Sequence, residues 1–254
     1  MERNNRTNGH LNGLVKEAIK KNGHKPEIKL ERDLNGQIDL LEVEEIGENH
    51  VGTSLDTPMR KDAFDLDEDT KIELIEAHFR EIMNIMGLDL NDDSLNGTPH
   101  RVAKMYVKEI FSGLNPANKP RVALFDNKYQ YNEMLVEKDI TLYSFCEHHF
   151  VPIIGRAHVA YISNGKVVGL SKINRIVQYF AKRPQVQERL TKQIADELKK
   201  VLQTEDIAVV IEAEHLCVAA RGVEDVNSKT ITADYSGKFK SGQHREEFLS
   251  YIKE

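Results

Sequence analysis

Cys146, Glu147, His148 and His149 stand side by side, and the only other cysteine, Cys217, sits two residues after His215. Thiolate and imidazole are donors that zinc favours in tetrahedral geometry. Cys146 and His149 have the C-x-x-H spacing of half a site, and Cys217 is the remaining thiol that can complete it. On a strand, His215 and Cys217 would point to the same face. Three protein ligands and one position left for water make a catalytic layout rather than a structural one. His148 and His215 are not needed as ligands and titrate near neutrality, which suits them to proton transfer beside a metal-bound water. On spacing alone the same residues read equally well as buried thiols, since free cysteine packs as a small hydrophobe, with histidines at the surface. His78, His100, His158 and His244 are scattered and read as structural or surface residues.

A second constellation is "GLSKINR". Ser171 is placed to cap a helix, with Lys172 and Arg175 in its first turns. Unpaired N–H groups and the helix dipole attract anions there, and an ammonium and a guanidinium add to a triphosphate cradle. An ordinary cap with two solvated cations fits the same residues. Arg221, shortly after Cys217, and Arg101, near the start of an earlier helix, add charge if the fold gathers them. Glu188 in "QVQERL" is either a solvated helix residue or a carboxylate that accepts two N–H bonds from one edge of guanine.

These groups need elements to hold them. Ile72, Ile75, Phe79, Ile82, Met83 and Met86 recur at helical spacing, with Asp67 or Asp69 as N-cap and Gly87 past the end. "TPHRVAKMYVKEIFSG" reads as one further helix, with Thr98 as N-cap, Pro99 in the first position and Gly113 after the end. Strand patterns follow. "DITLYSFC" leads into the cysteine–histidine run, and the segments about Asn164-Gly165 read as a hairpin with a type I′ turn. "SKINRIVQYFAKRP" and "QVQERLTKQIADELKKVL" are amphipathic helices, Pro184 closing the first. "IAVVIEAEHLCVAARG" and "TITADYSG" read as a last strand pair. Helices, hairpin strands, helices and strands without βαβ alternation make an α+β pattern with an antiparallel sheet.

The chain has 254 residues, of which 40% are hydrophobic, enough for a sizeable core. A net charge of −6 argues against a general nucleic-acid binder. No apolar run is long enough to span a bilayer, and the polar start "MERNNRTNGHLNG" has no signal-type segment. A cytoplasmic protein with reduced thiols is expected. Residues 1–60, rich in Asn, Gly, Glu and Lys, read as a flexible or weakly ordered extension, and residues 61–254 as the catalytic domain, helical over 67–113 with a core over 120–254.

The blocks "CEHHF", "GLSKINRIV", "RPQVQERLT" and "EHLCVAARG", with "TPHRVAKMY" and "EIFSGL" in the same order, closely resemble the GTP cyclohydrolase I family. The resemblance implies zinc (Zn2+) held by Cys146, His149 and Cys217, with His148 and His215 as catalytic histidines. It implies a triphosphate site of Arg101, Ser171, Lys172, Arg175 and Arg221, and guanine recognition by Gln187 and Glu188. It further implies the tunnelling fold and a toroidal homodecamer with active sites between subunits, where Arg101 could serve a neighbour's pocket. The implied reaction converts GTP and water to 7,8-dihydroneopterin triphosphate and formate, the first step of tetrahydrofolate and pterin biosynthesis. Two regions depart from the family pattern. Residues 1–60 have no clear counterpart, and Ala233, Asp234, Tyr235 and Ser236 stand where the family has "TSLGG".

Overall fold

A computed structural model describes residues 54–253; residues 1–53 of the expected N-terminal extension lie outside the described residues. The described residues divide into two compact units, one of residues 59–107 and the other of residues 54–58 with 108–253.

In the first unit, α1 (Glu68–Ile85) begins where the Asp67 carboxylate accepts the Thr70 N–H, and Gly87 follows it at φ +80°. Ile72 and Met83 are buried, whereas Ile82, Ile85 and Met86 are exposed. A short α2 (Asp93–Asn96) precedes α3 (Thr98–Met105). Gly97, not Thr98, occupies the N-cap position, so the helix starts one residue earlier than expected. The single helix expected to run on to Gly113 is also broken. Beyond Met105 the chain passes through a π turn (Tyr106–Ile110) and a 3-10 turn (Ser112–Leu114). The Gly113 N–H then bonds Lys182 O, a tertiary partner that outbids continued helix.

The second unit is built on a five-stranded sheet. Its strands are β2 (Met134–Cys146), β3 (Pro152–Ile162), β5 (Pro184–Gln185), β6 (Ile207–His215) and β7 (Thr230–Tyr235), in the order β5-β2-β3-β6-β7. Every pairing is antiparallel except the short β5–β2 one. β1 (Leu124–Asp126) and β4 (Lys166–Val168) form a separate two-stranded sheet. The turn at Asn164-Gly165 exists, with Gly165 at φ +81°, but it makes no hairpin. β4 leaves to pair with β1, and Asn164 does not adopt the positive φ that a type I′ turn requires.

Helices α4 (Leu170–Ala181) and α5 (Gln187–Leu202) pack on one face of the large sheet. Ile173, Ile176, Val177, Leu190, Ile194 and Leu198 meet Leu142, Ala157, Val159, Val209 and Ile211 there. Alternate residues of β3 and β6, among them Ala160, Ala208 and Val210, face the other side and pack against Phe239 and Phe248. Phe248 belongs to α7 (Gly242–Ile252), a C-terminal helix that the sequence analysis did not identify. Helices lie on both faces of a mainly antiparallel sheet, the α+β arrangement expected.

Two expected details change near the functional residues. Gly169 occupies the N-cap position of α4 in extended conformation, and its carbonyl accepts the Lys172 N–H at 2.8 Å. Ser171 is therefore the second helical residue rather than the cap. Cys217 is not on a strand. β6 ends at His215, opposite Ile153 at the start of β3, and beyond that point neither neighbouring strand offers partners. The backbone groups of Leu216–Ala219 close on themselves as a helical turn, α6, with Ala220 N–H donating to Leu216 O at 2.9 Å.

At Gly155 on β3 the neighbouring strand β6 leaves no room for a side chain. A methyl there would meet Glu212 O at 2.1 Å and Ala213 Cα at 2.6 Å. Gly155→Ala is expected to push β6 away and lose at least ~1–3 kcal/mol of stability by overpacking, read as a lowered denaturant midpoint.

Candidate metal centre and active site

The register gathers the site at one end of the sheet. Phe145 pairs with Pro152 and Ile153 with His215, so the end of β2, the start of β3 and the end of β6 lie together. Between β2 and β3 the residues 146–151 form a tight turn. Cys146 N–H donates to Val151 O at 2.9 Å, and Phe150 N–H to Cys146 O at 2.8 Å. Phe150 takes φ +53°, unusual for a bulky residue, and its ring lies 5.0 Å from that of Phe111. Glu147 N–H donates to Gln185 O, which fixes the turn to β5.

The turn and α6 bring three donors together. One donor atom from each of Cys146, His149 and Cys217 lies within 4.8 Å of the others. Cys146 Sγ is 3.8 Å from His149 Nδ1 and 3.7 Å from His148 Nδ1. Cys146 is buried, whereas the two histidines are more open. The Cys217 thiol is pushed up to about 11, first by burial and then by the adjacent Cys146. Two sulfurs pressed together resist ionising both, and a cation between them reverses that penalty. Burial, then the charges of Arg221 and His148, hold His149 below its ordinary pKa, which favours the neutral ring that a metal requires. This donor set fits a divalent ion that prefers sulfur and nitrogen.

His215 stands at the edge of this cluster, two residues from Cys217. Its Nε2 lies 2.8 Å from Gln187 Oε1. Gln187 is buried, and its amide nitrogen faces Ile211 O, Thr230 O and Thr232 Oγ1 at 3.0–3.1 Å. Those acceptors fix the amide orientation, so its oxygen faces the ring and His215 must donate from Nε2. Nδ1 is left with the lone pair. Burial lowers the His215 pKa, and the Glu188 carboxylate opposes that shift. Gln187 thus contacts His215, and Thr232 contacts Gln187 in turn.

The anion-binding candidates divide by unit. Ser171 and Arg175 on α4 are exposed and Lys172 is half-buried; among the described residues neither cation has an ion-pair partner. Glu188 is exposed in the first turn of α5. Arg221 is exposed, and its guanidinium lies 2.7 Å from His149 Nε2. Arg101 belongs to the other unit, where its guanidinium donates to Ser94 O and Thr98 Oγ1. Two residues given no role from the sequence also shape the metal turn. Glu147 and the buried Arg189 form a forked ion pair, one arm at 3.1 Å. The only signal was the position of Glu147 inside the cysteine–histidine run.

A family model for GTP cyclohydrolase I matches residues 75–253. The chain is 60% identical over 211 residues to GTP cyclohydrolase 1 of Flavobacterium johnsoniae, covering 83% of this chain and 95% of that protein. It is 54% identical over 204 residues to the proteins of that name from Citrobacter koseri and Salmonella arizonae, covering 80% of this chain and 92% of each. The chain belongs to the GTP cyclohydrolase I family, and its α+β sheet-and-helix architecture is consistent with the family's tunnelling fold.

Metal uptake at pH 7, with Zn2+ as probe, is expected to release at least one proton per ion. Cys217 is protonated beforehand and must become a thiolate. Affinity is expected to fall with falling pH as the donors take up protons again. A pH-stat titration reads both effects, and uptake without proton release would remove the thiols from the ligand set.

Proposed function

We propose that this chain is a zinc-dependent GTP cyclohydrolase I that converts GTP and water to 7,8-dihydroneopterin triphosphate and formate. The observation that carries this reading is the convergence of Cys146, His149 and Cys217 beside a histidine whose Nε2 is held by Gln187, leaving Nδ1 free. Zinc is the ion proposed for those three donors. When bound, it supplies a nucleophilic water near neutral pH for hydrolysis at C8 of guanine.

The remaining work falls to the chain. Ser171, Lys172, Arg175 and Arg221, with Arg101, hold the triphosphate, which is not itself transformed. Their binding energy keeps the base over the donors, a proximity effect. Glu188 accepts N1–H and the 2-amino group of guanine; Gln187, expected to share that recognition, is buried with both ends of its amide engaged, and its part is to keep His215 in one tautomer. His215 moves protons through Nδ1 at the opening imidazole ring, and His148 does so during formate release. His149 would hold the ion through one ring nitrogen, and Nδ1, the nitrogen on the Cys146 side, would leave the ring proton on Nε2 opposite the Arg221 guanidinium. Arg221 would then turn from that ring to the triphosphate.

The same reading includes the family's toroidal homodecamer, with Arg101 offered to a neighbouring copy's pocket. The exposed Ile82 and Ile85 of α1, with Met86 just past its end, support burial against another copy. The two free cysteines suit a reducing, cytoplasmic setting. No helix among the described residues is long and apolar enough to cross a membrane. The net charge gives no support for nucleic acid as a partner.

Incubating the purified protein with GTP is expected to yield formate and a pterin that fluoresces after oxidation; failure to form either defeats the reading. His215→Ala is expected to retain zinc and lose about 10²–10⁴-fold in turnover, checked by metal analysis beside kcat. Lys172→Ala and Arg175→Ala are expected to raise KM for GTP while leaving guanosine binding unchanged, measured by calorimetry. Equal losses for both ligands would remove these cations from the phosphate site.

A further inference from the structure

Arg189 is among the most buried charged residues, its side chain 4% exposed, yet the chemistry above does not use it. It lies in the first turn of α5, immediately after Glu188. All three of its nitrogens are engaged. Nη1 and Nη2 fork onto the two carboxylate oxygens of Glu147. Nε donates to Ser54 O at 2.9 Å. One turn further along α5, the Gln193 amide reaches Leu55 O at 3.3 Å and Asp56 Oδ1 at 3.2 Å. Segment 54–56 is thus tied to α5 through Arg189 and Gln193. It lies outside residues 75–253, the part matched by the family model.

We propose that Arg189 is a positioning residue for the metal turn and that segment 54–56 locks it in place. The inference rests on the metal reading above. Glu147 sits between the ligand Cys146 and the two histidines, so a fork on its carboxylate fixes the peptide that sets the spacing of Cys146 and His149. Arg189 suits this role because a planar guanidinium serves two carboxylate oxygens and a third acceptor at once, which a lysine ammonium on a flexible stem does not. The lock follows from burial. If segment 54–56 leaves, Nε loses its acceptor in a site with little water, and the penalty for an unmet buried donor draws the guanidinium off its Glu147 geometry. By reciprocity, a turn held by its ion favours the docked segment.

The test measures zinc affinity of the full chain by competition with a chromophoric chelator, with the unfolding midpoint followed in parallel. Arg189→Lys is expected to weaken zinc binding about 10- to 100-fold, the range typical of groups that orient metal ligands. Asp56→Ala, an exposed change that touches only the segment's anchor, is expected to weaken zinc binding by a smaller factor with an unchanged midpoint. Should Arg189→Lys fail to fold, Glu147→Gln, which keeps the side-chain shape, takes its place. Wild-type zinc affinity in a folded Arg189→Lys or Glu147→Gln protein overturns the positioning role. Loss in those variants with wild-type affinity in Asp56→Ala overturns the lock. A wild-type chain that takes up no zinc at all overturns the metal reading itself, and this proposal with it.

Discussion

The β2–β3–β6 register is the constraint on which the site depends. Cys146 and Cys217 are far apart along the chain, and neither lies within a regular element's middle. They meet because Phe145 is paired to Pro152 and Ile153 to His215, so three strand ends finish at the same level. Strand pairing has a side-chain period of two, and a slip of one residue would turn His215 to the other face. The slip is resisted by the core itself. Ile207, Val209 and Ile211 face α4 and α5, while Ala208 and Val210 face the C-terminal aromatic cluster. Both faces of β6 are buried, so either set would be displaced into the wrong environment.

Where the strands run out, the backbone finds local partners, and those local solutions carry the donors. The 146–151 turn closes on its own hydrogen bonds, and α6 does the same after His215. Each is held from outside by a different kind of contact. Phe150 leans on Phe111, Glu147 is gripped by Arg189, and the His215 ring is fixed by a buried glutamine. The electrostatics then follow from geometry. Burial and a second sulfur raise the Cys217 pKa, while burial and nearby cations depress that of His149.

The departure at residues 233–236 has a physical account. Asp234 on β7 pairs with Lys192 and Lys199 of α5, and Lys192 is held protonated chiefly by its bond to Asp196. Thr232, two residues earlier, bonds both Thr191 and the Gln187 amide. The altered stretch therefore supplies its own link between β7 and α5 and leaves the glutamine behind His215 in place. Ser236 is buried, its hydroxyl donating to Ile207 O, which closes the end of the sheet.

Much of this was legible in the amino-acid sequence. Hydrophobic periodicity located α1, α4 and α5, because a helix that buries one face must repeat at its own turn. The residue types at 146, 149 and 217 specified sulfur and nitrogen donors, because the chemistry of a ligand is local to its side chain. Caps and turns were less legible. Gly169 rather than Ser171 begins α4, and Asn164-Gly165 separates two sheets instead of closing a hairpin, since each outcome is decided by a partner distant in the chain. The same holds for Glu147, Gln187 and Arg189, which look like ordinary polar residues until α5 is laid against β2 and β6. Side-chain chemistry and periodicity are properties of neighbouring residues, and the sequence determines them by itself. Which strand end faces which, and which buried group finds its hydrogen-bond partner, depends on contacts between remote segments, and only the tertiary structure decides those.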